Sequence, residues 1–355
     1  KGFAYSDCWV EDARLVSLTA RDAADRGADI RTRAECVGLD RGADRWNLSI
    51  QQQGEIITEQ AKILVNAAGP WVDPVTSLYD RSSNAAKLRL VKGSHIVVKR
   101  KYEGDHSYIF QNRDGRIIFA IPYEGEHTLI GTTDEPWSYA EGDAKISDGE
   151  IGYLCDAASE YFEIPVTRDD IQWTYSGVRP LFDDHSRSAA TVTRDFVFDY
   201  DNDNGAPVLS VFGGKITTYR VLALQAIRTL SDALDVDGDD WTKKAYLPGG
   251  DFAPDGFDAL VDQYADRWNF IDRPILHRLV RAYGTDTAIM LEKVKAVSDL
   301  GQLFGAGLFE LEIRWLIDRE FACTAEDVLW RRSKLGLHMT DDQQQAVALW
   351  FDQQD

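Results

Sequence analysis

Val208-Leu209-Ser210-Val211-Phe212-Gly213-Gly214-Lys215-Ile216-Thr217-Thr218 is the stretch on which the fold turns. Its first five residues form a short apolar run that reads as a buried strand. Two glycines follow at once. They let the backbone turn tightly and let a ligand approach with no Cβ in the way. Beyond them Tyr219, Leu222, Ala223, Ala226, Ile227 and Leu230 recur on one face of a helix. A strand–Gly–Gly–helix junction points its first helical N–H groups, backed by the positive dipole end, outward. Lys215 adds a full charge, and Thr217 or Thr218 can cap. The stretch is a seat for an anion or a polarised carbonyl, or else a plain tight βα turn carrying an incidental lysine.

On the amino-terminal side, Glu11 to Arg26 has helical spacing. Asp29–Val37, Arg45–Gln52 and Gly54–Thr58 read as a small antiparallel meander. Ala61–Asn66 is an apolar strand ending in Ala67-Ala68-Gly69-Pro70, and Trp71–Tyr79 begins a helix. Leu88–Lys92, Ser94–Lys99, Tyr108–Gln111, Arg116–Pro122 and Thr128–Thr133 are further strands, and residues 147–163 read as helix. Runs around Trp173–Gly177 and Asp195–Tyr200 are expected to complete a mainly antiparallel sheet. Past the acidic linker from Asp232 to about Asp240, the chain reads as helices, and no internal repeat interrupts it.

Composition limits the function classes. The 355 residues carry 59 Asp+Glu against 39 Lys+Arg. So acidic a surface repels nucleic acid, and it would repel an anionic substrate too unless a local basic cluster reversed the field. The four cysteines, Cys8, Cys36, Cys155 and Cys323, form no CxxC pair, so no metal site or disulfide framework is expected. No apolar run approaches the roughly 18 residues needed to span a bilayer.

Against that background, residues 80–101 hold seven Lys/Arg and one acid, Asp80. His95 lies among them on a predicted strand. Neighbouring cations would keep its imidazole neutral and suited to accept a proton; a solvated basic face or a satisfied core histidine explains the same residues. In Trp173-Thr174-Tyr175-Ser176-Gly177-Val178-Arg179-Pro180, the Arg179 fork suits bidentate binding of phosphate or carboxylate, or pairs one of the many acids. No GxGxxG follows a strand, and no P-loop, HExxH or nucleophile elbow occurs.

Taken in order, eight segments resemble the FAD-dependent glycerol-3-phosphate dehydrogenase family. They are Tyr5–Leu15, Val65–Trp71, Val91–Val98, Ile130–Asp134, Trp173–Pro180, Phe212–Arg220, Leu247–Gly250 and Val297–Gly301. The family's amino-terminal GxGxxG segment has no counterpart here, so the chain is expected to lack the part that binds the flavin pyrophosphate, and its own flavin binding is in question.

The resemblance implies an α/β plus α architecture in three parts. Residues 1–80 and 206–235 would belong to a Rossmann-like FAD-binding domain, 81–205 to an antiparallel substrate-binding sheet, and 240–355 to a helical domain. It implies FAD as cofactor, with Ala68, Gly69, Gly213, Gly214, Ile216 and Thr217 beside it. The implied reaction is oxidation of sn-glycerol 3-phosphate to dihydroxyacetone phosphate by hydride transfer from C2. His95 would be the base, and Arg179 and Lys215 would grip phosphate or developing alkoxide. A membrane quinone would take the electrons from a cytoplasmic, peripherally attached enzyme, with a homodimer as its assembly. Lys99–Tyr102 and Trp330–Lys334 are candidate membrane contacts. An oxygen-using glycerol-3-phosphate oxidase, or a flavin-free module that only binds substrate, fits the same sequence.

Overall fold

The computed structural model describes residues 2–80, 88–182, 195–235 and 240–354. The chain divides into two compact units, Lys1–Thr32 with Trp241–Asp355, and Arg33–Asp240. Arg81 and Lys87 of the basic stretch, and 236–239 of the acidic linker, lie outside the described residues.

The helix α1 (Asp12–Asp25) is followed by β1 (Ala34–Arg41), β2 (Trp46–Gln52) and β3 (Glu55–Ala61), which form the predicted antiparallel meander. Gln53 and Gly54 both have positive φ, +51° and +82°. That is the pattern of the two-residue turn whose twist matches a hairpin. Trp46 is fully buried; its indole N–H donates to the Pro207 carbonyl at 2.9 Å, and Tyr79 packs against it edge-on. This one side chain ties the meander to the strands that follow.

After β4 (Leu64–Asn66), a single turn at Gly69–Trp71 and α2 (Val72–Ser77) come the strands β5 (Leu88–Lys99), β6 (Tyr108–Gln111), β7 (Ile117–Tyr123), β8 (His127–Gly131) and β9 (Glu135–Pro136). The helix α3 (Asp148–Ser159) and β10 (Ile171–Phe182) complete this part. The strands form an antiparallel sheet in the order β10-β5-β8-β7-β6, with β9 paired to β5. The two runs predicted at 88–92 and 94–99 are one strand, because Gly93 continues the ladder opposite Gly177. β10 runs straight through Arg179-Pro180 to Phe182. Proline is tolerated there because β10 is the edge strand.

The two faces of this sheet differ. Ile96, Val98, Ile118 and Ile130 pack with Leu154, Cys155 and Ala158 of α3 to make an apolar core. Side chains alternate along a strand, so the residues between them, including His95 of β5, belong to the opposite face. Glu150 of α3 reaches the covered face from the helix. Its carboxylate accepts from Thr133 Oγ1 at 2.6 Å, Ser94 Oγ at 2.7 Å and the Ser147 amide at 2.8 Å, and pairs with Lys92 Nζ at 3.0 Å.

β11 (Phe196–Asp201) and β12 (Val208–Gly213) form a hairpin, and β12 pairs in parallel with β4, giving the order β11-β12-β4. The sequence reading put the 195–200 run into the larger sheet. The tight Asp201–Gly205 connection turns it back on β12 instead. The helix α4 (Tyr219–Leu234) follows a single turn at Ile216–Thr218. Only Leu230 of its predicted apolar face is buried; Tyr219, Ala223 and Ile227 are exposed.

The other unit contains α1 with α5 (Phe257–Arg267), α6 (Arg273–Tyr283), α7 (Asp286–Met290), the small hairpin β13 (Leu303–Gly305) and β14 (Leu308–Phe309), α8 (Glu310–Glu320) and α9 (Asp341–Asp352). Leu276, Leu291, Leu308, Ile313 and Leu316 fill its core. The sequence reading assigned residues 1–80 together to the flavin domain, whereas residues 1–32 cluster with this helical unit. Charge explains the attachment. Arg14 makes two hydrogen bonds to fully buried Glu320 and stacks over Tyr283, while Arg21 pairs with Asp286 at 2.6 Å and lies over Trp315. These arginines sit at helical spacing, so α1 turns a polar stripe of Arg14, Ser17 and Arg21 to the unit.

Candidate functional site

Register brings two predicted site residues onto one open face. In the β5–β10 ladder Tyr175 lies opposite His95, Gly177 opposite Gly93 and Arg179 opposite Val91. His95, Tyr175 and Arg179 therefore share the face that α3 does not cover. Tyr175 stacks on the imidazole with ring centroids 4.8 Å apart and an interplanar angle of 11°. On its other side His95 is opposite Gly131 of β8. A Cβ on Gly131 would come within 2.7 Å of the His95 ring carbon Cγ. Glycine there lets the imidazole lie flat on the backbone.

A second glycine does the same for Arg179. A Cβ on Gly93 would lie 2.7 Å from the Arg179 guanidinium carbon and 2.7 Å from Thr132 Oγ1. The guanidinium donates to Thr132 Oγ1 at 2.9 Å, to the Thr133 carbonyl at 3.3 Å and to Asp134 Oδ1 at 2.6 Å. Asp134 is exposed, so one side of the arginine is held by a carboxylate at the solvent boundary. Pairing with an acid is one of the two uses the sequence left open for this arginine.

The 132–134 segment is itself anchored from beneath. Thr133 Oγ1 accepts from the Ser94 amide at 2.9 Å and donates to Glu150. Burial alone would raise the Glu150 pKa, but hydrogen bonds from Thr133, the Ser147 amide, Ser94 and Lys92 outweigh it and hold the carboxyl at about 2. The sequence argument placed the basic stretch around His95 as its electrostatic setting. Lys92 points to the opposite face and is neutralised by Glu150. Arg100 donates to the carbonyls of Tyr102, Gly104 and Gly125, and Lys101 pairs with Asp170 at 3.2 Å. The imidazole itself is held by its stacking on Tyr175 and its seat over Gly131.

The Gly69–Trp71 turn lies beside β10 and the end of β12. Gly213 and Gly214 have φ of +71° and +93°, a conformation open to glycine, and carry the chain out of β12. Their Cβ positions are already occupied: one would sit 2.9 Å from the Asp195 carbonyl oxygen, the other 3.2 Å from Leu222 Cδ1. These glycines serve the turn, one of the two uses the sequence offered for them. Gly69 is the reverse case, with φ +56° and nothing within 4 Å of an added Cβ. Ala67, Lys215, Ile216 and Thr217 are exposed, with Ala68 partly so. Thr218 Oγ1 donates back to the Lys215 carbonyl, so neither predicted threonine caps α4. An open glycine, a positively charged lysine and exposed turn backbone fit the edge of a flat, electron-accepting ring system.

In the two candidate membrane-contact segments several basic side chains have partners within the chain. Besides Arg100 and Lys101, Arg331 pairs with Glu326 and Asp327, Arg332 donates to the Glu320 carbonyl, and buried Lys334 reaches Glu11. Among the described residues no helix is long and apolar enough to cross a membrane. A cleft of about 400 Å³ on the meander, lined by Val37, Asp40, Asn47 and Ser49 among others, includes none of the predicted site residues.

The fold thus has a parallel-strand βα junction and an antiparallel sheet that presents histidine and arginine on one face. Residues 1–220 match the family model described as FAD dependent oxidoreductase, and 241–351 match the C-terminal domain of alpha-glycerophosphate oxidase. The chain belongs to the FAD-dependent glycerol-3-phosphate dehydrogenase family. It is 41% identical to the aerobic glycerol-3-phosphate dehydrogenase of Escherichia coli, over 99% of this chain and 70% of that protein. It is 43% identical to the D-erythritol 1-phosphate dehydrogenase of Brucella abortus, again over 99% of this chain and 70% of the relative. The glycerol-3-phosphate dehydrogenase of Bacillus halodurans, solved in complex with FAD, superposes with a TM-score of 0.83 at 26% identity, covering 97% of this chain and 69% of that one. FAD is thus the cofactor, and the chemistry is an oxidation.

Proposed function

We propose that the chain oxidises sn-glycerol 3-phosphate at C2 to dihydroxyacetone phosphate. The observation that carries this reading is His95 and Arg179 on one uncovered sheet face, each seated on a glycine. Arg179 binds the phosphate or the developing alkoxide through the fork that Asp134 now occupies. Its donors are strongest where water is excluded. Lys215 adds a second cation at the mouth of the βα turn. An imidazole nitrogen of His95 takes the proton from the C2 hydroxyl, and Tyr175 and Gly131 hold the ring in plane for that transfer.

Ala68, Gly69, Gly213, Gly214, Ile216 and Thr217 would lie along the flavin. Bound FAD supplies the hydride-accepting chemistry. A membrane quinone as electron acceptor, peripheral attachment at the cytoplasmic face and a homodimeric assembly complete the proposal; family membership supports them.

The relative named for D-erythritol 1-phosphate supports a second reading, in which a four-carbon polyol phosphate is oxidised. Both readings are tested by adding each substrate anaerobically to the flavin-loaded protein and following the visible spectrum. Bleaching by glycerol 3-phosphate at low concentration supports the first. Bleaching by erythritol 1-phosphate alone supports the second, and none with either overturns both. Repetition with a soluble quinone and with an oxygen electrode identifies the acceptor.

A further inference from the structure

Among the described residues, none lies above a third glycine on the same face. Gly177 lies between Tyr175 and Arg179 on β10 and opposite Gly93 on β5. Built onto it, a Cβ meets nothing within 4 Å, and its φ is not in the left-handed region. It is exposed, whereas Gly93 and Gly131 are buried. Neither a turn nor a packed neighbour calls for glycine here, and glycine in the interior of a strand weakens it. Two of the three glycines are filled over by the side chains they seat, and the third leaves a gap between those side chains.

From this arrangement we propose that Gly177 is a specificity-determining residue, the floor on which the substrate's carbon chain rests between Arg179 and His95. The inference rests on the functional reading above and deepens it. The dimensions agree. The Arg179 guanidinium lies over Gly93, which is two residues from His95 along β5, about 7 Å at the usual rise. A phosphate bound at Arg179 and a C2 hydroxyl bound at His95 are bridged by one short carbon chain, and Gly177 is the residue beside that bridge. A side chain at 177 would stand where those carbons lie.

The test uses Gly177→Ala and Gly177→Val in the flavin-loaded protein, with Arg179→Met for comparison. Each is assayed for thermal midpoint, for calorimetric binding of inorganic phosphate and of glycerol 3-phosphate, and for turnover. Because the space is empty, both Gly177 variants should keep the wild-type thermal midpoint and bind inorganic phosphate normally. Glycerol 3-phosphate binding should weaken at least tenfold in Gly177→Ala and become undetectable in Gly177→Val, with KM rising in parallel. If both variants bind and turn over glycerol 3-phosphate within threefold of wild type while Arg179→Met loses phosphate binding, the role of Gly177 is overturned and the functional reading stands. If Arg179→Met also behaves as wild type, the functional reading itself has failed.

Discussion

Replacing Glu150 by Gln should loosen the substrate-facing sheet in a way that fades as the pH falls. The carboxylate is 3% exposed and holds Ser94, Thr133 and Lys92 together from below the site. Its pKa drops from the usual 4.5 to about 2 in the folded protein. By linkage that difference is worth about 3 kcal/mol at neutral pH. A depressed folded value means the stabilisation is fully present above pH 4.5 and is lost as pH falls towards 2. At pH 3 less than half of it, about 1.4 kcal/mol, should remain. Glu150→Ala should cost more, about 3–5 kcal/mol, because it strands the Lys92 ammonium, which is only 9% exposed. Hydrogen exchange of the β5 amides reports this sheet specifically. Protection of those amides should fall in Glu150→Gln by the free energies above at pH 7 and pH 3. A gap between wild type and variant that is unchanged over that range, or smaller than about 0.5 kcal/mol at pH 7, would refute the account of the network.

Arg179→Ala should reduce kcat/KM by more than about a hundredfold, and steady-state kinetics with glycerol 3-phosphate check it; a change under about threefold removes Arg179 from the site. Gly131→Ala should unseat the His95 ring, lowering the rate of flavin reduction in stopped flow far more than it lowers substrate affinity. Lys215→Met should weaken discrimination in favour of glycerol 3-phosphate over glycerol, measured as a ratio of kcat/KM values. Arg14→Met should destabilise the helical unit by about 3–5 kcal/mol by leaving fully buried Glu320 without its partner, which chemical denaturation would register.

The sequence showed the βα junction, the meander and the larger sheet because each rests on local pattern: Val208–Phe212 before two glycines, Gln53-Gly54 between two strands, and short strand-like runs such as Tyr108–Gln111 and Thr128–Thr133. It missed where 195–200 would pair, since alternation identifies a strand without identifying its neighbour. The length of the Asp201–Gly205 turn was the available signal. It brought out His95 and Arg179 as chemistry-bearing residue types, yet a count of nearby cations does not say which of them share the face of His95. Lys92 and His95 are three positions apart on a strand, which sends them to opposite sides. Glu150 was invisible, being one acid among many on a helix, with hydrogen-bond partners at positions 94 and 133. The glycines in Lys92-Gly93-Ser94, Ile130-Gly131-Thr132 and Ser176-Gly177-Val178 could have been used. Glycine inside a strand marks a close approach, and three of them flanking a histidine and an arginine outline a site.

The attachment of α1 to the helical unit also has a consequence in time. The apolar core of that unit is built from residues beyond position 250, and α1 adds arginines to it in place of apolar side chains. Arg21 must wait for Asp286 and Arg14 for Glu320, separations of 265 and 306 residues. At roughly 5–20 residues per second on the ribosome, α1 exists for about 15–60 s before either partner has been made. Through that interval neither arginine has its distant carboxylate partner. α1 spends that interval as a charged helix open to a chaperone or a protease, until the segments carrying Asp286 and Glu320 arrive to receive it.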